Sequence, residues 1–181
     1  RGNQAAHKYY AAMVPLRYLP RLFSFDGDDL SPEMRAQRTL NKGRIPEMSR
    51  YVLDNPRDYV FSALTASVDG EMVFRPQGTN GASKNLGTLE VAMGSKILLN
   101  DGQHRWAAIT AALEENSDLE DETIAVVFYQ DLGLKRSQQM FADLNRHAVR
   151  PSKSLGVLYD QRDERAQLVR LVVLKSDFFR P

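Results

Sequence analysis

The sequence predicts one compact domain that combines helices and strands. Strand-like and helix-like segments alternate along the chain, and this alternation is typical of an α/β or α+β fold. The chain has 181 residues, of which 43% are hydrophobic, and this supplies enough apolar surface for one buried core. The chain contains no internal repeat and no low-complexity segment, which argues against a repeat architecture.

The first third of the chain carries turn signals and helix starts. Residues 12–23 predict a short strand or extended arm that two prolines interrupt. A turn follows at 25–29, and the Ser-Pro-Glu sequence at 31–33 is typical of a helix start, for a helix that reaches about Leu40. A second helix is predicted at 45–53 and is closed by the Asp-Asn-Pro sequence behind it.

The middle of the chain predicts short strands around a long loop. Residues 59–67 predict a buried strand, and 68–71 predict a hairpin turn into a further strand at 72–74. The segment 77–87 contains three glycines and is the best loop candidate in the chain. Two more strands follow, at 89–91 and 97–99.

The last third predicts helices around one clear strand. A helix is predicted at 103–116, with Trp106 and Ile109 at helical spacing as core anchors. An acidic connection leads to the strand 123–129, whose residues are mostly β-branched, aromatic or apolar. Further helices are predicted at 134–144 and within 155–175.

Composition limits the classes of function. The formal net charge is +1, from 24 basic and 23 acidic side chains, so global charge indicates no partner. The chain has no cysteine, which excludes disulfides and thiolate metal sites and fits a cytoplasmic protein. No apolar run approaches the roughly 18 residues of a membrane span, and we expect no membrane partner. The abrupt end after Phe178 and Phe179 leads us to expect a piece of a longer protein.

One strand–helix junction concentrates the polar chemistry of the chain. An apolar run at 96–99 ends in Asn-Asp-Gly, and a helix-like run begins directly behind it. The turn contains Asp101, Gly102, Gln103, His104 and Arg105. Free backbone N–H groups at a helix N-terminus favour anions, so this turn is the first candidate for a phosphate site. The alternative is a plain turn, in which Asp101 caps the helix and Gly102 supplies permissive backbone angles.

The side chains of this turn have candidate catalytic and binding roles. Arg105 stands against the positive end of the helix dipole, which is unfavourable unless an anion lies in front of it. Gln103 and His104 could orient a reacting water, although His104 could equally be a surface or structural histidine. Asp101 could hold a hard metal ion together with a nucleotide phosphate. The chain has no phosphate-binding loop motif, no Gly-x-Ser-x-Gly elbow and no zinc-binding pattern.

Two other segments are locally basic. Arg35 and Arg38 lie three residues apart, so they share a face of the predicted helix. They could grip phosphate or simply lie on the surface. Residues 134–153 contain five basic side chains against one acid, and this excess suits phosphate contact.

Four basic residues of these two segments are candidates for DNA contact: Arg35, Arg146, Arg150 and Lys153. The alternative is a solvated basic face near the end of a helix. Asn145 lies where the helical pattern fails, so its plain role is a C-terminal cap.

The turn and its neighbours resemble a known family. Residues 101–105 match the motif of the DGQHR-domain proteins, and the chain is most similar to the DndB family of bacterial DNA phosphorothioate-modification systems. The resemblance covers roughly residues 12–165. It includes further segments at 35–41, 87–90, 137–146 and 150–155.

The resemblance implies a distant branch of the ParB/sulfiredoxin-like fold. This is an α+β fold with a mixed sheet flanked by helices, expected here at 1–153, with additional C-terminal helices beginning in 154–181. In that fold an acid-Gly-x-x-Arg turn opens a helix and holds nucleotide phosphate. The turn matches this motif, and Asn145 matches a second element. ParB proteins carry a second arginine where this chain has Trp106, so its phosphate contact would need Arg38 or Arg146.

The resemblance also implies a function. It implies a transcriptional repressor that binds double-stranded promoter DNA of its own phosphorothioate-modification gene cluster. A pocket at the turn would bind ATP or another nucleotide, with a divalent metal at Asp101. The alternative is a nucleotide hydrolase or DNA-nicking enzyme of the same system. A third is a subunit that docks other phosphorothioation proteins, with the motif only structural. Whether the chain forms a homo-oligomer stays open.

Overall fold

The computed structural model describes residues 1–23, 41–133, 136, 139–140, 142–144 and 162–175. The chain divides into two compact units, residues 1–144 and residues 145–181. Among the described residues, every strand belongs to the first unit, and the second unit contains one helix. The domain boundary predicted after residue 153 falls outside the described residues and stays a prediction.

Strands of the first unit form two sheets. The strands are β1 (Gly2–Gln4), β2 (His7–Pro15), β3 (Leu64–Val68), β4 (Met72–Pro76), β5 (Gly87–Val91), β6 (Ile97–Asp101) and β7 (Thr123–Gln130). The larger sheet has the order β1-β2-β7-β3-β6. β3 and β7 are parallel, whereas the other neighbours are antiparallel. β4 and β5 form a separate antiparallel pair.

The described helices belong to both units. They are α1 (Leu19–Leu22), α2 (Ile45–Asp54) and α3 (Gln103–Glu115) in the first unit, and α4 (Glu164–Lys175) in the second. α2 starts favourably, with Pro46 and Glu47 in its first turn. The described residues between 136 and 144 are also helical, as predicted for 134–144. Within the described residues, no helix has the length and apolarity needed to span a lipid bilayer.

The hydrophobic core lies between the larger sheet and the helices. Leu64, Ala66 and Val68 alternate along β3, so they point to one face of the sheet, and all three are fully buried. Val52 of α2 and Ile109 of α3 belong to the same buried cluster. This arrangement of helices on a mixed sheet confirms the predicted α+β class. The finer likeness to ParB proteins stays a prediction.

The hairpin predicted at 68–74 is wrong. β3 does not pair with β4, because β3 lies between β7 and β6. The backbone N–H of Asp69 donates to the Lys96 carbonyl at 3.1 Å, and the Lys96 N–H donates to the Asp69 carboxylate at 2.6 Å. These bonds join the end of β3 to the start of β6. Every residue of β3 is buried, so this strand needs neighbours on both sides and becomes a central strand. β4 instead pairs with β5 across the predicted loop.

Two other predicted elements have different bounds. The strand predicted at 59–67 is shorter, because residues 59–63 lie outside the sheet. The arm predicted at 12–23 is the end of β2 followed by helical turns. Pro15 ends β2, and Pro20 lies in the first turn of α1, where its missing N–H is tolerated.

Several predicted elements fall outside the described residues. These are the turn at 25–29, the helix that begins at Ser31 and the first part of 155–175. The helices predicted at 45–53 and 103–116 and the strand predicted at 123–129 are confirmed, with bounds shifted by only one residue at an end.

A substitution in the two-residue turn between β1 and β2 is expected to stabilise the fold. Ala5 and Ala6 have positive φ angles of 49° and 64°, a conformation that favours Asn-Gly in tight hairpins and is unfavourable for alanine. Replacing them by Asn and Gly is expected to raise the free energy of unfolding by about 1 kcal/mol, measured by urea denaturation. The control Ala5→Val/Ala6→Val should lower it. An unchanged midpoint in both variants would contradict this turn geometry.

Candidate functional site

The candidate turn begins at an irregularity in β6. Ala66 pairs with Leu99, whereas Thr65 pairs with Asp101, so Asn100 is an extra residue in the ladder. Such a β-bulge bends a strand and redirects the side chains that follow it. Asn100 is buried, and its amide donates to Ser67 Oγ at 2.5 Å. The bulge therefore leads β6 out of the sheet, and the Asp101 side chain is 43% exposed.

Gly102 makes the tight turn from β6 into α3. Its φ and ψ angles are 98° and 16°, the left-handed region that favours glycine. A Cβ at this position would lie 2.5 Å from Leu64 Cδ2 and 3.0 Å from Arg105 Nη2. Gly102 is the N-cap, and no side chain among the described residues caps the helix. The alternative in which Asp101 caps α3 is therefore not observed.

Arg105 joins three segments of the chain. Its Nη2 donates to Asp101 Oδ2 at 2.8 Å and to the Ala63 carbonyl at 3.2 Å, and its Nη1 donates to Ser62 Oγ at 2.6 Å. The side chain is only 20% exposed. The planar fork of a guanidinium suits this set of divergent acceptors. Arg105 thus binds the protein itself in this structure, and its buried Nε has no hydrogen-bond partner in the part of the chain that the structure describes.

The segment that receives Arg105 is itself fixed by aromatic residues. The Tyr59 ring lies 5.9 Å from the Phe61 ring, and Phe61 lies 5.7 Å from Tyr51. The Tyr59 hydroxyl donates to the Glu122 carboxylate. Burial, together with this hydrogen bond, raises the pKa of Tyr59 above its usual range. These contacts hold residues 59–63 in place, so that Ser62 Oγ and the Ala63 carbonyl reach the Arg105 guanidinium.

Gln103 and His104 also have partners within the chain. The Gln103 amide donates to the Leu99 carbonyl at 3.2 Å, across the bulge. The backbone N–H of Asn41 donates to His104 Nε2 at 3.0 Å, so a neutral ring carries its proton on Nδ1. All four polar side chains of the turn therefore stabilise the local fold. Their roles in catalysis stay predictions.

Parts of the two companion segments reach the turn. Asn41, the last residue of the segment 35–41, contacts His104 as described. Met140 Sδ lies 3.4 Å from the amide nitrogen of Asn100, next to Asp101. The segments 35–41 and 137–146 are distant from the turn in the sequence. Residues of both nevertheless make contacts at this one strand–helix junction.

A basic turn beside α3 was missed by the sequence analysis. A 3₁₀ turn, Lys42–Arg44, follows Asn41 directly, and its residues are exposed. Because Asn41 is bonded to His104, this turn lies beside the start of α3. Sequence alone showed two basic residues with a glycine between them, but no local pattern joined them to a helix 60 residues later.

Several candidate residues fall outside the described part of the chain. The structure places neither the remaining phosphate-binding candidates nor the DNA-binding candidates: Arg35, Arg38, Asn145, Arg146, Arg150 and Lys153. Their roles stay predictions. Among the described residues, no cluster of three or more His, Asp or Glu side chains could hold a metal ion. Asp101 could contribute one carboxylate, as Mg²⁺ sites on nucleotide phosphates use.

The comparison with protein families identifies the chain. The family profile named DndB, described as DNA-sulfur modification-associated, matches residues 1–181, the whole sequence. The chain belongs to the DndB family. No curated protein and no solved structure gives a significant match. The resemblance based on the DGQHR turn and its companion segments is thereby confirmed, and this DndB-family chain is linked to DNA sulfur modification through its family.

Gly102→Ala is expected to lower the free energy of unfolding by about 2–4 kcal/mol, because backbone strain adds to the clash with Leu64. Two glycines serve as controls, measured by urea denaturation. Gly133 has a φ of 99° with open space around a Cβ, so Gly133→Ala should show strain alone, about 1–2 kcal/mol. Gly94 has neither feature. Equal losses for Gly102→Ala and Gly133→Ala would contradict the close packing of the turn.

Arg105→Lys is expected to destabilise the first unit although it keeps the positive charge. A lysine cannot reach the three acceptors at once, so we expect a loss of about 1–3 kcal/mol in urea denaturation. The matched control is Arg75→Lys in the exposed Arg75–Glu90 ion pair on the smaller sheet, which should unfold at an unchanged urea concentration. If the two substitutions behave alike, Arg105 is not a structural contact.

Proposed function

We propose that this DndB-family domain is a DNA-binding regulator of the DNA-sulfur modification system. It represses the modification gene cluster by binding the promoter DNA of that cluster in the cytoplasm. The observation that carries the proposal is the uncapped N-terminus of α3 with the exposed basic turn Lys42–Arg44 beside it. The family description connects the domain with DNA modification.

The start of α3 has the properties of a phosphate site. Gly102 has no side chain that could satisfy the first N–H groups of the helix, and these groups carry the positive end of the helix dipole. A phosphate oxygen is a natural acceptor for such groups. Lys42 and Arg44 add two cations on the side of His104, which supports a DNA backbone phosphate as the ligand.

Arg105 has a supporting role in this proposal. Its guanidinium pairs with Asp101 at 2.8 Å and thereby offsets the negative charge nearest to the phosphate. An unpaired carboxylate at this position would repel the DNA backbone. The proposal therefore assigns Arg105 to positioning and charge balance, and it assigns direct contact to the helix N–H groups and the basic turn.

The remaining candidates lie outside the described residues. We keep them as proposed phosphate and DNA contacts: Arg35, Arg38, Asn145, Arg146, Arg150 and Lys153. A second copy of the chain or other phosphorothioation proteins are further proposed partners, since repressors commonly act as symmetric dimers on DNA.

Binding of a promoter duplex should depend on the basic turn. The double variant Lys42→Gln/Arg44→Gln is expected to bind about tenfold more weakly at 0.15 M salt, and its logarithmic salt slope should fall by about 2. Fluorescence anisotropy with a labelled duplex measures both. Lys84→Gln, an exposed lysine on the β4–β5 loop, is the control. Unchanged affinity of the double variant would favour the third alternative. In that alternative the chain is a subunit that docks other phosphorothioation proteins, and the motif at 101–105 is only structural.

A nucleotide hydrolase is the second candidate function. Within the described residues, Asp101 Oδ1, Gln103 Oε1 and His104 Nδ1 have no hydrogen-bond partner, so three polar atoms at the start of α3 could orient a nucleotide, a divalent metal and a water. Phosphoryl transfer depends mainly on such positioning and on charge neutralisation.

Release of inorganic phosphate from ATP with Mg²⁺ separates the two functions. For a regulator that only binds, neither the wild type nor Asp101→Asn should release phosphate above the rate without protein. Release by the wild type that is lost in Asp101→Asn would establish the enzyme instead. Gln103→Ala is a second variant for the activity measurement. A thermal unfolding curve for each variant checks that it is folded.

A further inference from the structure

A cavity beside the β1–β2 turn has an unusual lining. Its volume is about 310 Å³, and it shares no residue with the turn at the start of α3. The lining residues that could contact a ligand through charge or ring surface come from β2, β7 and the helical residues after β7. They are His7, Lys8, Tyr10, Tyr129, Arg136 and Met140.

The charges of this cavity are of one sign. Lys8 and Arg136 are cations and His7 is a third basic group, and none of the described residues that line the cavity carries a carboxylate. Asp143 lines a neighbouring cavity together with Arg136. Within the described part of the chain, none of the three basic side chains forms an ion pair. Basic side chains that line a concave surface without ion-pair partners favour an anionic ligand.

Aromatic rings supply the rest of the wall. Tyr129 stacks on Tyr9 with ring centroids 5.8 Å apart, and Tyr10 packs on Phe74 at 5.6 Å. These contacts fix the rings, so a ligand would meet a prepared surface. The Tyr129 hydroxyl donates to Gln4 Oε1 at 3.4 Å, and burial raises the pKa of Tyr129, which keeps this hydroxyl protonated. Fixed rings beside cations are the combination that binds bases and phosphates of single nucleotides.

We propose that this cavity binds one nucleotide, with its phosphate at Lys8 and Arg136 and its base against Tyr129 and Met140. The volume lies at the lower end of the range for small-ligand sites, which suits a nucleoside monophosphate. The same chemistry is offered by a free nucleotide and by one nucleotide of single-stranded DNA. A duplex does not fit this description, because its bases are stacked and paired. The site is therefore additional to the duplex contact proposed at α3.

Titration calorimetry with AMP, and anisotropy with a labelled ten-nucleotide oligo-dT, test the proposal on the whole chain. Lys8→Gln and Arg136→Gln should each weaken binding of at least one probe about fivefold. Lys84→Gln should leave it unchanged. Thermal unfolding confirms that each variant is folded. Binding of AMP identifies the free nucleotide as the source, and binding of oligo-dT alone identifies single-stranded DNA.

Three results would overturn the proposal. They are absence of binding by both probes, binding that is indifferent to Lys8 and Arg136, and binding that is lost only in the Lys42/Arg44 variant. The last result would place the nucleotide at the start of α3 and would support the duplex site there. Failure of the duplex measurement, by contrast, leaves the cavity proposal intact, because the two sites use different residues.

Discussion

The fork of hydrogen bonds from Arg105 is the contact on which the candidate site depends. It ties Asp101 at the end of β6 and the Ser62–Ala63 segment before β3 to the first turn of α3. The guanidinium can lie against the turn only because Gly102 has no side chain, and Gly102 is also in a left-handed conformation. The tight turn from β6 into α3 depends on this arrangement.

This arrangement separates the residues that shape the site from those that face a ligand. Gln103, His104 and Arg105 direct polar atoms to the backbone or side chains of the chain itself. The proposed DNA contacts are instead the N–H groups at the start of α3 and the exposed cations of Lys42–Arg44. A motif that looks catalytic in the sequence therefore acts first as a local scaffold, and the anion site beside it is our proposal.

Much of the fold follows from local patterns, and the parts that do not have a common cause. The spacing of Trp106 and Ile109 and the β-branched run of β7 define elements whose bounds the structure confirms closely. The left-handed Gly102 is also consistent with its sequence context. Ser62 as an acceptor was not predictable, because it lies 43 residues from Arg105 and has no distinctive neighbours. The hairpin at 68–74 was predicted wrongly for the same reason, because the partners of β3 are distant in the sequence. The strand order depends on the burial of both faces of β3.

The central claim is that DNA phosphates contact the start of α3 and the basic turn, while Arg105 holds them in place. Amide chemical shifts of the isotope-labelled chain, recorded by NMR during titration with a short promoter duplex, test this directly. The account expects the largest shift changes at the backbone amides of 103–105 and 42–44, fading as salt is raised. Changes confined to other surfaces, or none at a duplex concentration that saturates binding, would contradict it.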